Sequence, residues 1–148
     1  MILPQDLRAL VVDDNAYARA AVAATLRKLG MVSIDELAAA APAVGAIQAT
    51  RYDIVFMDWY MPEMNGAALL EVIRDPRFSA NGQKNGQVPV VMITAYPNRE
   101  TIARARELGA SEVLTKPFTV AHAAAALARL LPDDWRIPGE PETGQVLL

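Results

Sequence analysis

Five polar side chains interrupt apolar runs in this sequence. Asp13 and Asp14 end LRALVVDD, Asp58 ends YDIVFMD, Thr94 falls near the end of VPVVMITA, and Lys116 follows SEVLT. An acid that closes a wholly apolar run is costly to bury without a partner. Three carboxylates brought together would raise one another's pKa unless a cation lay among them. All-oxygen ligands suit a hard ion, and Mg²⁺ is the usual choice where phosphate is handled. Lys116 would add a fixed positive charge, and Thr94 a hydroxyl able to donate to an oxyanion. Such a set would hold a phosphoryl group on a carboxylate. Asp58 is the natural acceptor, because carboxylate nucleophiles form acyl phosphates. Taken singly, each residue has a plainer role: a strand-end Asp commonly caps the next helix, Thr94 suits a strand, and Lys116 could be solvated.

These residues matter only if the fold brings them to one place. Short apolar runs alternate with helical patterns along the chain. Leu7–Asp14 reads as a strand, and NAYARAAVAATLRKLG as a helix stopped by Gly30. A weaker strand at 32–37 leads to a second helix whose start Pro42 is expected to mark. YDIVFMD, NGAALLEVIRD, VPVVMITA, NRETIARARELG, SEVLT and TVAHAAAALARLL continue the alternation, with a long polar loop over Pro76–Gln87. Five βα units predict a doubly wound α/β fold, a parallel five-stranded sheet with helices on both faces. Ligands in such sheets bind outside the carboxyl ends of the strands, and all five polar residues fall on that edge.

Composition narrows the functions available. With 148 residues, 53% of them hydrophobic and 21% charged, the chain suits one packed domain, over residues 1–131, followed by an extended tail, Pro132–Leu148. The absence of cysteine excludes disulfides and thiolate chemistry. A single histidine, His122, leaves no material for a histidine-rich metal site, and it reads as a surface or core-edge residue. Net charge is −3 with no basic block, so direct nucleic-acid binding is not expected. Neither a membrane span nor a leader pattern is visible, which suggests a cytoplasmic protein. Met57, Met61, Met64 and Met92 are expected to fill core or loop gaps.

The motifs VVDDN (Val11–Asn15), MDWYMPEMNG (Met57–Gly66), MITA (Met92–Ala95) and TKPF (Thr115–Phe118) resemble, in order and spacing, those of the receiver domain of two-component response regulators. The resemblance covers about residues 6–131 and implies a flavodoxin-like sheet of order 2-1-3-4-5. It implies that Asp13 and Asp14 bind Mg²⁺, the second acid directly and the first largely through water. It further implies that Asp58 takes phosphate from a phosphohistidine, that the backbone carbonyl of Tyr60 completes the metal shell, and that Thr94 and Lys116 contact the phosphoryl oxygens. The Lys116–Pro117 peptide is expected to be cis. The implied partners are a histidine kinase or histidine phosphotransfer protein and a downstream protein effector, reached by contact or by phosphate relay. The output surface would be helix four, strand five and helix five.

Two departures bear on mechanism. Three residues before the lysine, receivers usually carry Tyr or Phe; here Val113 stands, stiff at χ1 and without a ring to swing. Activation is therefore expected to act through the segment 95–99. Two residues beyond Asp58 and Thr94 stand Tyr60 and Tyr96, which either shield an acyl phosphate from water or face a partner. Two rival functions remain: an unphosphorylated scaffold of the same fold, and a Mg²⁺-dependent phosphohydrolase of the haloacid dehalogenase type. The latter needs an acid at position 60, where Tyr60 stands.

Overall fold

The computed structural model describes residues 3–79 and 87–131. Its strands are β1 (Arg8–Val12), β2 (Ser33–Leu37), β3 (Ile54–Asp58), β4 (Val90–Thr94) and β5 (Glu112–Thr115). Its helices are α1 (Ala16–Lys28), α2 (Ala40–Ala49), α3 (Gly66–Arg74), α4 (Arg99–Glu107) and α5 (Val120–Leu130), with short 3₁₀ turns at Pro4–Asp6 and Pro76–Ser79. All pairings are parallel, in the order β2-β1-β3-β4-β5. This is the doubly wound, flavodoxin-like architecture expected from the alternation of apolar runs and helical patterns.

Side chains alternate across the sheet and divide the core in two. Ala9, Val11, Ile54, Phe56, Val91 and Ile93 face α1 and α5, meeting Val22, Leu26, Ala123 and Leu127. Leu10, Val12, Val55, Met57, Val90 and Met92 face the other side, against Ala43, Ile47, Leu69, Ile73 and Ala105 of α2, α3 and α4. β3 and β4 are buried at every position, which is why their sequences are almost continuously apolar. Met57 and Met92 are fully buried, Met61 is buried and Met64 packs at the core edge, so all four methionines fill gaps as expected.

Local chemistry fixes where the helices begin. The side-chain oxygens of Asn15, Asn65, Asn98 and Thr119 accept from the backbone N–H of Ala18, Ala68, Thr101 and His122, three residues on in each case. His122 is exposed, and its Nδ1 accepts from the Thr119 N–H at 3.3 Å, completing a reciprocal cap. The expected start of α2 needs correction: the helix opens at Ala40, two residues before Pro42. Proline is tolerated there because the first-turn N–H groups have no intrahelical acceptor. Arg74 fastens α3 to the turn before β5, its Nε and Nη2 donating to the Gly109 carbonyl at 3.1 and 2.8 Å. Of the long loop, 76–79 form the second 3₁₀ turn; residues 80–86 and the tail 132–148 lie outside the described residues.

Candidate functional site

The backbone ladder runs past the strand ends and carries the site residues with it. Asp13 N–H donates to the Leu37 carbonyl at 3.1 Å, Trp59 N–H to Ile93 at 2.9 Å, and Lys116 N–H to Thr94 at 2.8 Å. Positions 13, 58, 94 and 116 are thus set side by side by sheet register. The structure brings the five polar residues singled out by the sequence to one end of the sheet.

There, carboxylate oxygens of Asp13, Asp14 and Asp58 lie within 4.8 Å of one another. Asp13, Asp58 and Thr94 are buried at 2%, 8% and 1% exposure, and Asp14 faces solvent. Lys116 Nζ lies 2.9 Å from Asp13 Oδ2 and 3.4 Å from Asp58 Oδ1, so one cation answers two buried acids. Asp13 is further held by the Asn15 N–H, which donates to Oδ1 at 2.9 Å, and Arg19 steadies the same turn by donating to the Asp13 carbonyl at 2.8 Å. The peptide between Lys116 and Pro117 is cis.

Electrostatics weigh on Asp58. Burial, and then the neighbouring Asp13 carboxylate, raise its carboxyl above the usual range, with Asp14 adding a little; Lys116 pulls part of the way back. For Lys116 burial works downward, but its hydrogen bond to Asp13 and the charge of Asp58 outweigh it, and the ammonium is held above its ordinary value. With one lysine among three carboxylates, the cluster keeps an excess of negative charge.

The donor set suits a hard divalent cation. Its oxygens come from three carboxylates, and the chain has no cysteine. Among the described residues, no hydrogen bond reaches the Asp14 carboxylate or the Tyr60 carbonyl, so both are free to ligate. The β3–α3 loop is shaped to allow this. Glu63 takes a left-handed φ of 67°, and Gly66 N–H donates to the Trp59 carbonyl at 2.9 Å. A Cβ on Gly66 would lie 2.4 Å from the Asp58 carbonyl oxygen, so this close approach admits only glycine without displacing the end of β3.

Around the site, Tyr60 and Tyr96 are 50% and 71% exposed and meet edge to face, ring centroids 6.1 Å apart and planes at 75°. The separate spacings of these tyrosines gave no sign that the rings would meet each other. Thr94 Oγ1 accepts from the Tyr96 N–H at 3.1 Å. Val113 is half-buried against the α4 side of the core. Beside Lys116, a groove of about 420 Å³ runs between α1 and the β5–α5 loop, lined by Ala18, Ala21, Val22, Thr25, Pro117 and Phe118.

The description "response regulator receiver domain" belongs to a family model that matches residues 9–128. Chemotaxis protein CheY-3 of Vibrio cholerae is 35% identical over 120 residues, spanning 81% of this chain and 88% of its own. A probable chemotaxis protein CheY of Rhizobium etli is 28% identical over 127 residues, spanning 86% and 94%. Among solved structures, V. cholerae CheY4 superposes with a TM-score of 0.72 at 26% identity, covering 84% of this chain and 98% of its own. The receiver domain of a Pseudomonas aeruginosa sensor histidine kinase, with a magnesium ion coordinated in its active-site cleft, gives 0.71 at 29% identity, covering 84% and 96%. Among the described residues, no helix is long and apolar enough to cross a membrane.

Proposed function

This chain belongs to the response regulator receiver domain family, and we propose that Asp58 is its phosphoacceptor, taking a phosphoryl group from a histidine kinase or histidine phosphotransfer protein. One Asp58 oxygen attacks phosphorus as the bond from phosphorus to the donor's imidazole nitrogen breaks. The imidazole keeps that electron pair and takes up a proton from water. Lys116 pairs with the phosphoryl oxygens, and the Thr94 hydroxyl donates to one of them. Asp13, Asp14, Asp58 and the Tyr60 backbone carbonyl would hold Mg²⁺, a hard ion that their oxygens suit. When bound, the ion neutralises charge on the phosphoryl oxygens and on the crowded acids. The magnesium ion in the P. aeruginosa receiver supports this reading, as does the donor set itself.

The observation that carries the proposal is the cluster: three carboxylates within 4.8 Å, with Lys116 Nζ 2.9 Å from Asp13 and 3.4 Å from Asp58. A purely structural ion pair would not call for the third acid. The apolar groove ending at Lys116 offers a histidine-bearing partner a seat beside Asp58. The phosphorylated chain then signals in the cytoplasm by contact with a protein effector, through α4, β5 and α5, or passes phosphate along a relay. Incubation with acetyl phosphate and Mg²⁺, read by intact-protein mass, tests this. One phosphoryl adduct, absent in Asp58→Asn, is expected. Turnover of a phosphomonoester would point to a phosphohydrolase, and an unchanged mass to an unphosphorylated scaffold.

A further inference from the structure

Asp14 faces solvent, and among the described residues no hydrogen bond reaches its carboxylate. Where that carboxylate lies therefore depends on how the main chain enters and leaves residue 14. Three successive peptide units run through the turn, each planar, so holding one polar atom restrains the whole plane. The first is anchored by the Asp13 N–H, which donates to the Leu37 carbonyl at 3.1 Å. The third is anchored by the Asn15 N–H, which donates to Asp13 Oδ1 at 2.9 Å. The middle unit joins Asp13 to Asp14, and its carbonyl accepts from Arg19 Nη1 at 2.8 Å. Among the described residues no other donor reaches that carbonyl.

Arg19 is itself braced from the edge of the sheet. Its Nε lies 3.7 Å from Glu36 Oε1 on β2, and Arg27, about two turns further along α1, approaches the other oxygen of Glu36 at the same distance. The planar guanidinium thus serves the Asp13 carbonyl and the Glu36 carboxylate at once. The charged hydrogen bond at 2.8 Å is the strong contact, and the partly exposed ion pairs at 3.7 Å add little. We propose that Arg19 is a positioning residue for the metal site: it fixes the peptide between Asp13 and Asp14 and so presents the Asp14 carboxylate to Mg²⁺. This rests on the reading that Asp13, Asp14 and Asp58 hold that ion. On charge alone, a guanidinium beside the turn repels a divalent cation. Its hold on the peptide and its charge therefore act on Mg²⁺ in opposite directions, and the sign of the change on its removal separates them. Groups that orient metal ligands are commonly worth about 10–100-fold in metal affinity, and Arg19, acting through the main chain, belongs at the lower end, about 10-fold.

The test titrates Mg²⁺ into the full chain and follows the amide resonances of residues 13–15 by NMR, at a temperature where every variant is folded. Arg19→Met removes the charge and the donors at similar length, whereas Arg19→Lys keeps the charge and loses the fork. The expected result is Mg²⁺ binding weakened about 10-fold in Arg19→Met and several-fold in Arg19→Lys. The Asp14 amide should shift in both variants before any Mg²⁺ is added. Glu36→Gln should weaken binding less than Arg19→Met does. Should Arg19→Met not fold, Arg19→Lys decides in its place, since a role of charge alone leaves its affinity at the parent value. A lowered Tm with unchanged Mg²⁺ affinity would make Arg19 a brace of the fold only and overturn the proposal, as would tighter binding in Arg19→Met; either result leaves the metal site intact. A parent protein in which Mg²⁺ moves none of these resonances would remove the metal reading and this proposal with it.

Discussion

Replacing Gly66 with alanine should damage both stability and the site, by an amount that follows from contact distances. The new Cβ would lie 2.4 Å from the Asp58 carbonyl oxygen, 2.6 Å from Met92 Cε and 3.1 Å from Trp59 Cα. The methionine methyl can swing away. The other two atoms are main chain and cannot move without carrying the acceptor strand's end. The clash with the Asp58 carbonyl falls about 1 Å short of ordinary contact between packed atoms. Overpacking of this kind costs roughly 1–3 kcal/mol. Alanine's helix preference over glycine returns at most about 1 kcal/mol. With that returned in full, a net loss of up to about 2 kcal/mol is expected, which in a chain of this size lowers Tm by up to roughly 8 °C. A backbone shift approaching 1 Å at Asp58 should also slow phosphorylation by acetyl phosphate, by up to about 100-fold. Thermal melts and single-turnover phosphorylation of Gly66→Ala would measure both effects. A variant as stable as the parent and phosphorylated at the same rate would refute the argument.

Glu63 holds a left-handed φ of 67° that asparagine adopts more readily. Glu63→Asn should therefore raise stability by up to about 1 kcal/mol in urea titrations, since a left-handed L-residue costs roughly 1–2 kcal/mol. Asp14 offers a carboxylate that no hydrogen bond occupies among the described residues, so Asp14→Asn should weaken Mg²⁺ binding, followed by Trp59 fluorescence or calorimetry, while leaving the fold. Tyr52, whose hydroxyl donates to Asp35 Oδ2 at 2.6 Å, has its phenol pushed up to about 12 by burial and then by that bond to Asp35. The folded state thus holds the phenolic proton more tightly than the unfolded chain. Its contribution to stability is full below about pH 10 and is lost as pH rises towards 12. Tyr52→Phe should remove that part of the alkaline decline in denaturation curves.

Much of this arrangement could be read before the coordinates, for physical reasons. β3 and β4 are buried on both faces, so their sequences are continuously apolar and a polar residue at their ends stands out. Parallel order then brings Asp13, Asp58, Thr94 and Lys116 to one edge, although the ion pair between Lys116 and Asp13 joins residues 103 positions apart. Local signals were weaker where context overrides them. Pro42 suggested a helix start because proline is favoured at the first helical position, yet it is also tolerated two residues further in. His122 as a reciprocal cap was not visible, since the pattern usually carries Glu or Gln at that place. The Tyr60–Tyr96 contact was hidden because it depends on how two loops lean, which no periodicity records. The clamp of Arg74 on Gly109 was hidden for the same reason.

The central claim is that a phosphoryl group forms on Asp58, and chemical trapping tests it most directly. Borohydride reduces an aspartyl phosphate to homoserine and leaves free carboxylates untouched. Protein treated with acetyl phosphate and Mg²⁺, reduced and then mapped by peptide mass spectrometry should carry homoserine at position 58 and at no other aspartate. Omission of Mg²⁺ should abolish the product, since Asp13, Asp14 and Asp58 would then face the incoming phosphate with only Lys116 to offset them. Homoserine at Asp13 or Asp14, or a reduced peptide map identical to that of untreated protein, would contradict the account.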